Sequence, residues 1–202
     1  MRKLRCLAEA AELCVERRFE LLLRTSGLLS RSNKFMYHRS TWSAIDTFTG
    51  RALSGPLREA GVILNQVTVV TSTWGEWREA YPHTTIIAED GGLGCRYPLN
   101  PLRGWDDGGP IFAVGDVDPR LAVHDVVVGA ISPDGMPIAF PVGPAQLALE
   151  AGQQVTHAGV SVRADAGGMR VYADEQELVA HQSFWFAWSQ FYPDTQLWPG
   201  PG

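Results

Sequence analysis

Several features that would identify a function are scarce in this sequence. Its 202 residues include only three cysteines, an odd number too small for a disulfide framework, so we predict reduced thiols. Every apolar stretch is far shorter than the roughly 20 residues of a membrane-spanning helix, so no membrane span is predicted. The five histidines show no pair at the spacing of zinc ligands, so no metal or other cofactor is predicted.

Motifs for nucleotide binding, hydrolysis and calcium binding are also missing. The glycine-rich residues 90–94 lack the Gly-Lys-Ser/Thr of a phosphate loop and indicate a turn. Ser26 does not lie in the Gly-x-Ser-x-Gly pattern of a hydrolase. Asp116 and Asp118 lack the closing Glu of a calcium loop, which favours an ordinary loop. The sequence therefore contains no complete catalytic or cofactor motif.

The composition is that of a folded protein with an acidic balance. Hydrophobic residues make up 45% and charged residues 19%, and the formal net charge is −5. Because nucleic-acid binding requires clustered Lys and Arg, no nucleic-acid partner is predicted. Glu9 and Glu12 interrupt what would be the apolar region of a signal peptide. We predict a cytoplasmic location; the alternative is an extracytoplasmic one, if the natural chain has further residues before Met1.

The pattern beyond residue 24 is typical of short strands separated by turns. Residues 126–131 and 136–140 flank Ser-Pro-Asp-Gly and predict a hairpin, and residues 160–163 and 169–172 predict a second one around Ala-Gly-Gly. Residues 62–71 predict one more strand region. Besides the aromatic segments described next, helices are predicted at residues 3–23 and at residues 144–151, where Pro lies in the first turn and Gly just after the end.

An internal repeat is the strongest signal in the sequence. The pattern Trp-x-x-Trp-x-x-x-Tyr-Pro-x-Thr occurs at residues 74–84 and again at residues 185–195, with five identities at the same spacing. Positions i, i+3 and i+7 share one face of a helix, so each copy is predicted to bury two indoles and a phenol and to end at its proline.

These patterns together predict a mainly β (α+β) fold. We expect two pseudo-repeated antiparallel β units, each closed by a short aromatic helix and packed as one globule. The predicted bounds are a divergent, helical N-terminal segment at 1–18, a first and incomplete β unit at 19–88, a linker loop at 89–110 and a second β unit at 111–202.

Four stretches of the chain resemble an uncharacterised family called domain of unknown function 3179. The resemblance is carried by residues 25–39, 49–57 and 73–78 and by the aromatic residues 184–195, and it spans roughly residues 19–198. It implies no activity, because the family has none assigned. Members of the family usually begin with a first hairpin and a Cys-Pro-Leu block, so this chain is identified as an amino-terminally shortened or divergent member.

The best candidate for a chemical site is a polar cluster in the first β unit. It combines a base, a cation and a carboxylate, an arrangement that general acid–base catalysis uses. The candidate catalytic residues are Tyr37, His38, Arg39 and Asp46, with Ser26 and Thr49 nearby. The other interpretation is a structural hydrogen-bond network that holds a turn.

Two tryptophans in Gly- and Pro-rich surroundings, Trp105 and Trp198, are predicted to be exposed, and Trp105 is with Ser26 a candidate ligand-binding residue. We predict a non-catalytic binding or scaffold module whose partner is a small molecule or a protein. The alternative is an enzyme with its site at Tyr37, His38, Arg39 and Asp46 between the two halves.

Overall fold

The computed structural model describes residues 21–86 and 113–200. The chain divides into two compact units, Met1–Gln66 and Val67–Gly202. The helix predicted at residues 3–23 lies almost wholly outside the described residues, as do the segment 1–18, the linker 89–110, all three cysteines and Trp105. The predicted domain bounds therefore stay predictions.

The described part of the first unit contains one antiparallel sheet and one short helix. The sheet has the order β1-β2-β3, with β1 at Leu23–Ser30, β2 at Asn33–His38 and β3 at Ala44–Asp46; helix α1 spans Gly55–Glu59. Arg31 and Ser32 both have positive φ (48° and 58°), which is the twist that a two-residue hairpin turn requires. The hairpin of β1 and β2 therefore closes as tightly as two residues allow.

The first unit packs around Ile45 and Phe48, which are buried. Behind them the chain turns at Gly50, whose φ is +72° and whose position leaves no room for a side chain, since a Cβ would lie 2.6 Å from the Leu64 carbonyl oxygen. The strand region predicted at residues 62–71 is wrong: the structure has only an isolated bridge between Arg51 and Ile63 there. That segment is rich in β-branched residues, but no described strand pairs with it, so tertiary context overrides its β propensity.

The described part of the second unit contains two four-stranded sheets and three helices. One sheet has the order β10-β4-β5-β11 and the other β6-β7-β8-β9. The elements in chain order are α2 Trp74–Ala80, β4 Val126–Ile131, β5 Pro137–Pro141, α3 Val142–Glu150, β6 Val155–His157, β7 Val160–Asp165, β8 Gly168–Ala173, β9 Gln176–Leu178, β10 Ala180–Phe184, α4 Trp185–Phe191 and β11 Gln196–Leu197.

Both predicted hairpins are confirmed, and turn chemistry explains them. Between β4 and β5 the amide of Ser132 donates to the Met136 carbonyl, and Gly135 takes a φ of +83°. Between β7 and β8 the turn residues Ala166 and Gly167 both have positive φ. The helix predicted at 144–151 is also confirmed as α3, and Gly152 follows its end with a φ of +72°.

The main buried cluster of the second unit joins residues of both sheets, such as Phe140 and Val171, and the indole of Trp188 lies on Gly129 of β4. Trp185 and Trp188 of α4 are fully buried, and a Cβ on Gly129 would lie 2.4 Å from the Trp188 ring. Each indole N–H has an acceptor: Trp185 donates to the Asp118 carbonyl at 2.8 Å, and Trp188 donates to the Thr195 hydroxyl at 2.9 Å. The large apolar rings are thus buried without leaving a polar atom unsatisfied.

The two copies of the aromatic motif have the same internal geometry. Trp77 donates to Thr84 at 3.0 Å as Trp188 donates to Thr195, and the Trp–Tyr ring centroids lie 4.6 Å apart in the first copy and 4.5 Å in the second. Helix α2 ends at Tyr81 with φ −128° and ψ 71°, and α4 ends at Tyr192 with φ −130° and ψ 72°.

The burial of the two copies differs. Trp74 is 42% exposed and Tyr81 is 39% exposed, whereas Trp185 and Trp188 are 0% exposed. The prediction that each copy buries two indoles is therefore wrong for the first copy, although the mainly β (α+β) class is confirmed. Helical spacing determines which side chains share a face, but another element has to cover that face, and that element is not set by the motif.

Replacing Gly129 by Ala should destabilise the second unit. The new methyl group would overlap the Trp188 ring, so the free energy of unfolding should fall by about 1–3 kcal/mol. The measurement is urea denaturation followed by circular dichroism. Gly143→Ala is the matched control, because its Cβ would meet nothing within 4 Å, and it should leave stability unchanged or raise it by up to about 1 kcal/mol. Equal stability of the two variants would contradict the contact.

Candidate functional site

The predicted polar cluster lies where β2 leads into β3 in the first unit. His38 is the last residue of β2 and is 1% exposed. The side chain of Arg39 is exposed, and its backbone N–H donates to the Leu22 carbonyl. Tyr37 stacks on Trp42, with ring centroids 5.1 Å apart and an interplanar angle of 1°. These three consecutive residues therefore have three different surroundings.

His38 begins a chain of hydrogen bonds that runs to helix α1. Its Nδ1 lies 2.9 Å from the Thr41 hydroxyl, which lies 2.8 Å from the Ser43 hydroxyl. The Ser43 oxygen accepts the backbone N–H of Leu57 at 3.1 Å. Because the Ser54 side chain does not cap α1, Ser43 satisfies a helix N-terminal amide from another part of the chain. This is a turn-to-helix clamp, and Ser43 is 0% exposed within it.

Asp46 holds a different turn. One carboxylate oxygen accepts the Phe48 amide at 2.8 Å and the other accepts the Thr49 hydroxyl at 2.9 Å. The residue is 3% exposed, so its charge is compensated by these local donors rather than by water. Asx turns of this kind are a common structural use of aspartate.

The register of the sheet separates His38 from Asp46. Asp46 lies opposite Phe35 in the β2–β3 pairing, so its side chain shares the face of Phe35 and Tyr37. His38 is on the other face, because successive strand residues alternate. The two groups that acid–base catalysis would combine are therefore on opposite sides of the sheet in this structure.

Ser26, a predicted ligand-binding residue, bridges β1 and β2. Its hydroxyl donates to the Phe35 carbonyl at 2.7 Å and accepts the Leu28 amide at 3.1 Å. The β1–β2 register shifts between Thr25 and Leu29, so Ser26 stabilises the irregular part of the strand.

A cavity lies in the second unit, where three chain segments meet at one end of the sheet that contains β4. We call it the end-of-sheet pocket; its volume is about 670 Å³. Its lining includes Arg120, His124, Asp125, Val142, Leu197 and Trp198. This volume is within the range of small-molecule sites, which are mainly apolar with a few polar groups.

The polar wall of the pocket is a loop built around Arg120. Its guanidinium forms an ion pair with Asp118 (2.6 Å) and donates to the Thr195 carbonyl at 2.8 Å, and it lies 5.4 Å from the Trp185 ring centroid. Hydrogen bonds from Arg120 lower the pKa of the Asp118 carboxyl. His124 contacts Phe184, with ring centroids 5.4 Å apart.

The sequence reasoning missed this pocket. Trp198 was predicted to be exposed, which is wrong, because it is 5% exposed and packs near Phe140 with ring centroids 6.3 Å apart. The loop interpretation of Asp118 is correct, since its carboxylate accepts the Arg120 amide two residues later. The only local signal for Arg120 is this Asp-Pro-Arg turn, which gives no indication of a cavity.

Among residues 21–86 and 113–200, no group of three or more His, Cys, Asp or Glu side chains is placed to hold a metal ion. In the same part of the chain, no helix has the length and apolar character needed to cross a bilayer.

Comparison with known proteins gives one finding. The model of the family described as "Protein of unknown function (DUF3179)" matches residues 9–178. The chain belongs to this family. The match covers the whole polar cluster of the first unit and most of the second unit, but it ends before the second aromatic copy at residues 185–195.

The family assignment supplies no activity. Its description names no function, and no curated protein and no solved structure matches the chain. The chemistry of this DUF3179 member therefore has to be argued from its own residues.

The clamp at Ser43 predicts a stability effect. Ser43→Ala removes the acceptor of the Leu57 amide inside the first unit, so the free energy of unfolding should fall by about 1–3 kcal/mol in urea denaturation. Ser40→Ala is the matched control, because Ser40 is exposed, and it should change stability by less than about 0.5 kcal/mol. A Ser43→Ala variant as stable as the control would show that the clamp contributes nothing.

The Asp118–Arg120 pair predicts a pH effect with a defined sign. A carboxyl whose pKa is lowered on folding stabilises the protein above its ordinary pKa of 3.8, and this contribution is lost as pH falls through the lower folded value. Asp118→Asn should therefore be less stable than wild type at pH 6, and the difference should shrink below pH 3.8.

Thermal melts from pH 6 to pH 2.5 test this. The exposed Asp116→Asn is the control and should follow the wild-type curve. A gap between Asp118→Asn and wild type that stays constant with pH would refute the assignment.

Proposed function

We propose that this protein is a non-catalytic binding module and that its end-of-sheet pocket holds a small molecule with an apolar body and one polar end. The observation that carries the proposal is the pocket itself, about 670 Å³ in volume and lined by apolar residues together with Arg120, His124 and Asp125. Sites of this size and composition are the usual places for small ligands.

The polar end of the ligand has two sources of hydrogen-bond donors. Arg120 is held in place by Asp118 and Thr195, so it does not lose side-chain freedom when a ligand binds. The pocket also borders the first turn of α3, a helix of nine residues whose N-cap, Pro141, provides no side-chain cap. Uncapped backbone amides at a helix N-terminus favour an oxygen acceptor or an anion.

The alternative function is an enzyme that uses Tyr37, His38, Arg39 and Asp46. It would require His38 and Asp46 to act on one substrate atom, which the opposite faces of the β2–β3 sheet disfavour. Their hydrogen bonds to Thr41, Phe48 and Thr49 also have a structural use. Binding in the second unit is therefore the better supported function.

We infer in addition that the two aromatic segments are copies of one structural unit. The equal Trp–Thr bonds, Trp–Tyr ring distances and helix-end dihedral angles support this relation. A full duplication of the β units would further require a first-copy hairpin that corresponds to β4 and β5.

A matched ligand panel tests the pocket. Octanoate and phenylacetate should raise the melting temperature saturably by at least about 2 °C, and the octane and toluene analogues without the polar end should not. Gly143→Phe places a ring in the pocket lining without a clash at its Cβ and should abolish the shift.

The matched control is Gln146→Phe, which adds the same ring to an exposed position of α3 and should bind as wild type does. If no carboxylate of the panel shifts the melting temperature, or if Gly143→Phe binds as well as Gln146→Phe, the proposal is wrong.

A further inference from the structure

The first aromatic copy has an uncovered surface, and the equivalent surface of the second copy is covered by β4. Residues 67–73 lead directly into α2 as β10 leads into α4, and their exposure alternates residue by residue, as in an extended chain. The two copies are offset by 111 residues. In the second copy, β10 pairs antiparallel with β4, from Ala180 opposite Ala130 to Phe184 opposite Val126. The same β4 supplies Gly129, on which Trp188 lies.

One side of the first copy is already held by the β6–β9 sheet of its own unit, at β9 and at the β7–β8 turn. The Thr68 hydroxyl donates to the Leu178 carbonyl at 3.1 Å, and Ser72 donates to the Ala166 carbonyl. Tyr81 donates to the Asp165 carboxylate at 3.0 Å. The segment is therefore held in a defined, extended shape before any partner arrives.

The other side is open and apolar. Val67 is 74% exposed, Val69 is 70% exposed and Trp74 is 42% exposed. Among residues 21–86 and 113–200, no strand pairs with 67–73. A cavity of about 520 Å³ lies here, lined by Val69, Ser72, Trp74, Trp77 and Arg170 among others. Three of these residues correspond, at the offset of 111, to residues of the second copy that lie beside β4. The corresponding pairs are Val69 and Ala180, Ser72 and Ser183, and Trp77 and Trp188.

We propose that this surface, residues 68–77, receives a β-hairpin of a partner protein. The hairpin adds an antiparallel strand beside residues 69–73 and places a glycine against the indole of Trp77, as Gly129 is placed against Trp188. The two residues before this glycine are apolar and β-branched, as Val127 and Val128 are before Gly129. The proposal rests on the repeat inferred above and not on the end-of-sheet pocket, with which this surface shares no lining residue.

The occupant is another protein rather than a second copy of this chain. In the described residues only the β4–β5 hairpin has a strand glycine between buried apolar residues, whereas Gly27 of β1 lies at the register shift with a φ of +75°. Both edges of β4 are already paired, with β10 on one side and β5 on the other. The described residues of a folded second copy therefore offer no such strand. An exposed, apolar and already extended segment is a template for strand addition from elsewhere.

The test is a titration of the full-length protein with a probe hairpin. The probe is a labelled cyclic peptide that contains residues 125–141 of this chain, closed by two lysines for solubility. Fluorescence anisotropy should show saturable binding with a dissociation constant below about 100 μM. The same peptide with Gly129→Val should bind at least ten-fold more weakly, because its side chain would overlap the indole.

Protein variants establish where the peptide binds. Val69→Asp puts a charge inside the paired segment and should weaken binding at least ten-fold, whereas Val67→Asp, equally exposed but before that segment, should change it less than three-fold. Both sites are exposed, so both variants should fold, which circular dichroism checks.

Three results would overturn the proposal. If Val69→Asp leaves binding unaffected, the peptide binds elsewhere, for example by displacing the protein's own β4. If no saturable binding is seen, strand addition is rejected. Sedimentation equilibrium of the protein alone is the third measurement: a dimer that Val69→Asp dissociates would assign the surface to a second copy instead.

Discussion

The contact between Trp188 and Gly129 is the constraint on which the second unit depends. The indole can lie directly on β4 only because residue 129 has no side chain, and its N–H has the Thr195 hydroxyl as acceptor. A buried Trp removes about 150–250 Å² from water, which is worth up to about 4–6 kcal/mol at 25 cal/mol per Å². Since α4 follows β10 without a loop, this contact also fixes the helix against the sheet and brings the chain back for β11.

The two aromatic copies separate local from tertiary determinants. Their internal bonds and ring distances agree because each is made within eleven residues by the same side chains. Their exposure differs because burial requires a strand contributed from elsewhere, which the second copy has in β4. One motif is therefore a core element in one place and an exposed aromatic surface in the other, and the surface is where recognition of a partner can occur.

The polar residues of the first unit show why a list of reactive side chains is a weak predictor of catalysis. His38, Ser43 and Asp46 are buried, and each side chain forms a hydrogen bond with a nearby turn or helix end. Buried polar groups have to find partners, so tight turns concentrate the same residue types as active sites do. The faces on which these side chains lie depend on strand register, and register depends on the pairing of β2 with β3.

The sequence by itself determined the β-rich class, both hairpins of the second unit, helix α3 and the local shape of the aromatic motifs. These follow from turn residues, glycine and proline positions and side-chain spacing, which act over a few residues. Only the tertiary structure decided which aromatic copy is buried, which faces His38 and Asp46 occupy, and that residues 120–126, 141–144 and 197–200 enclose a pocket. The physical reason is that burial and cavities arise between segments distant in the chain, where local propensity carries no information.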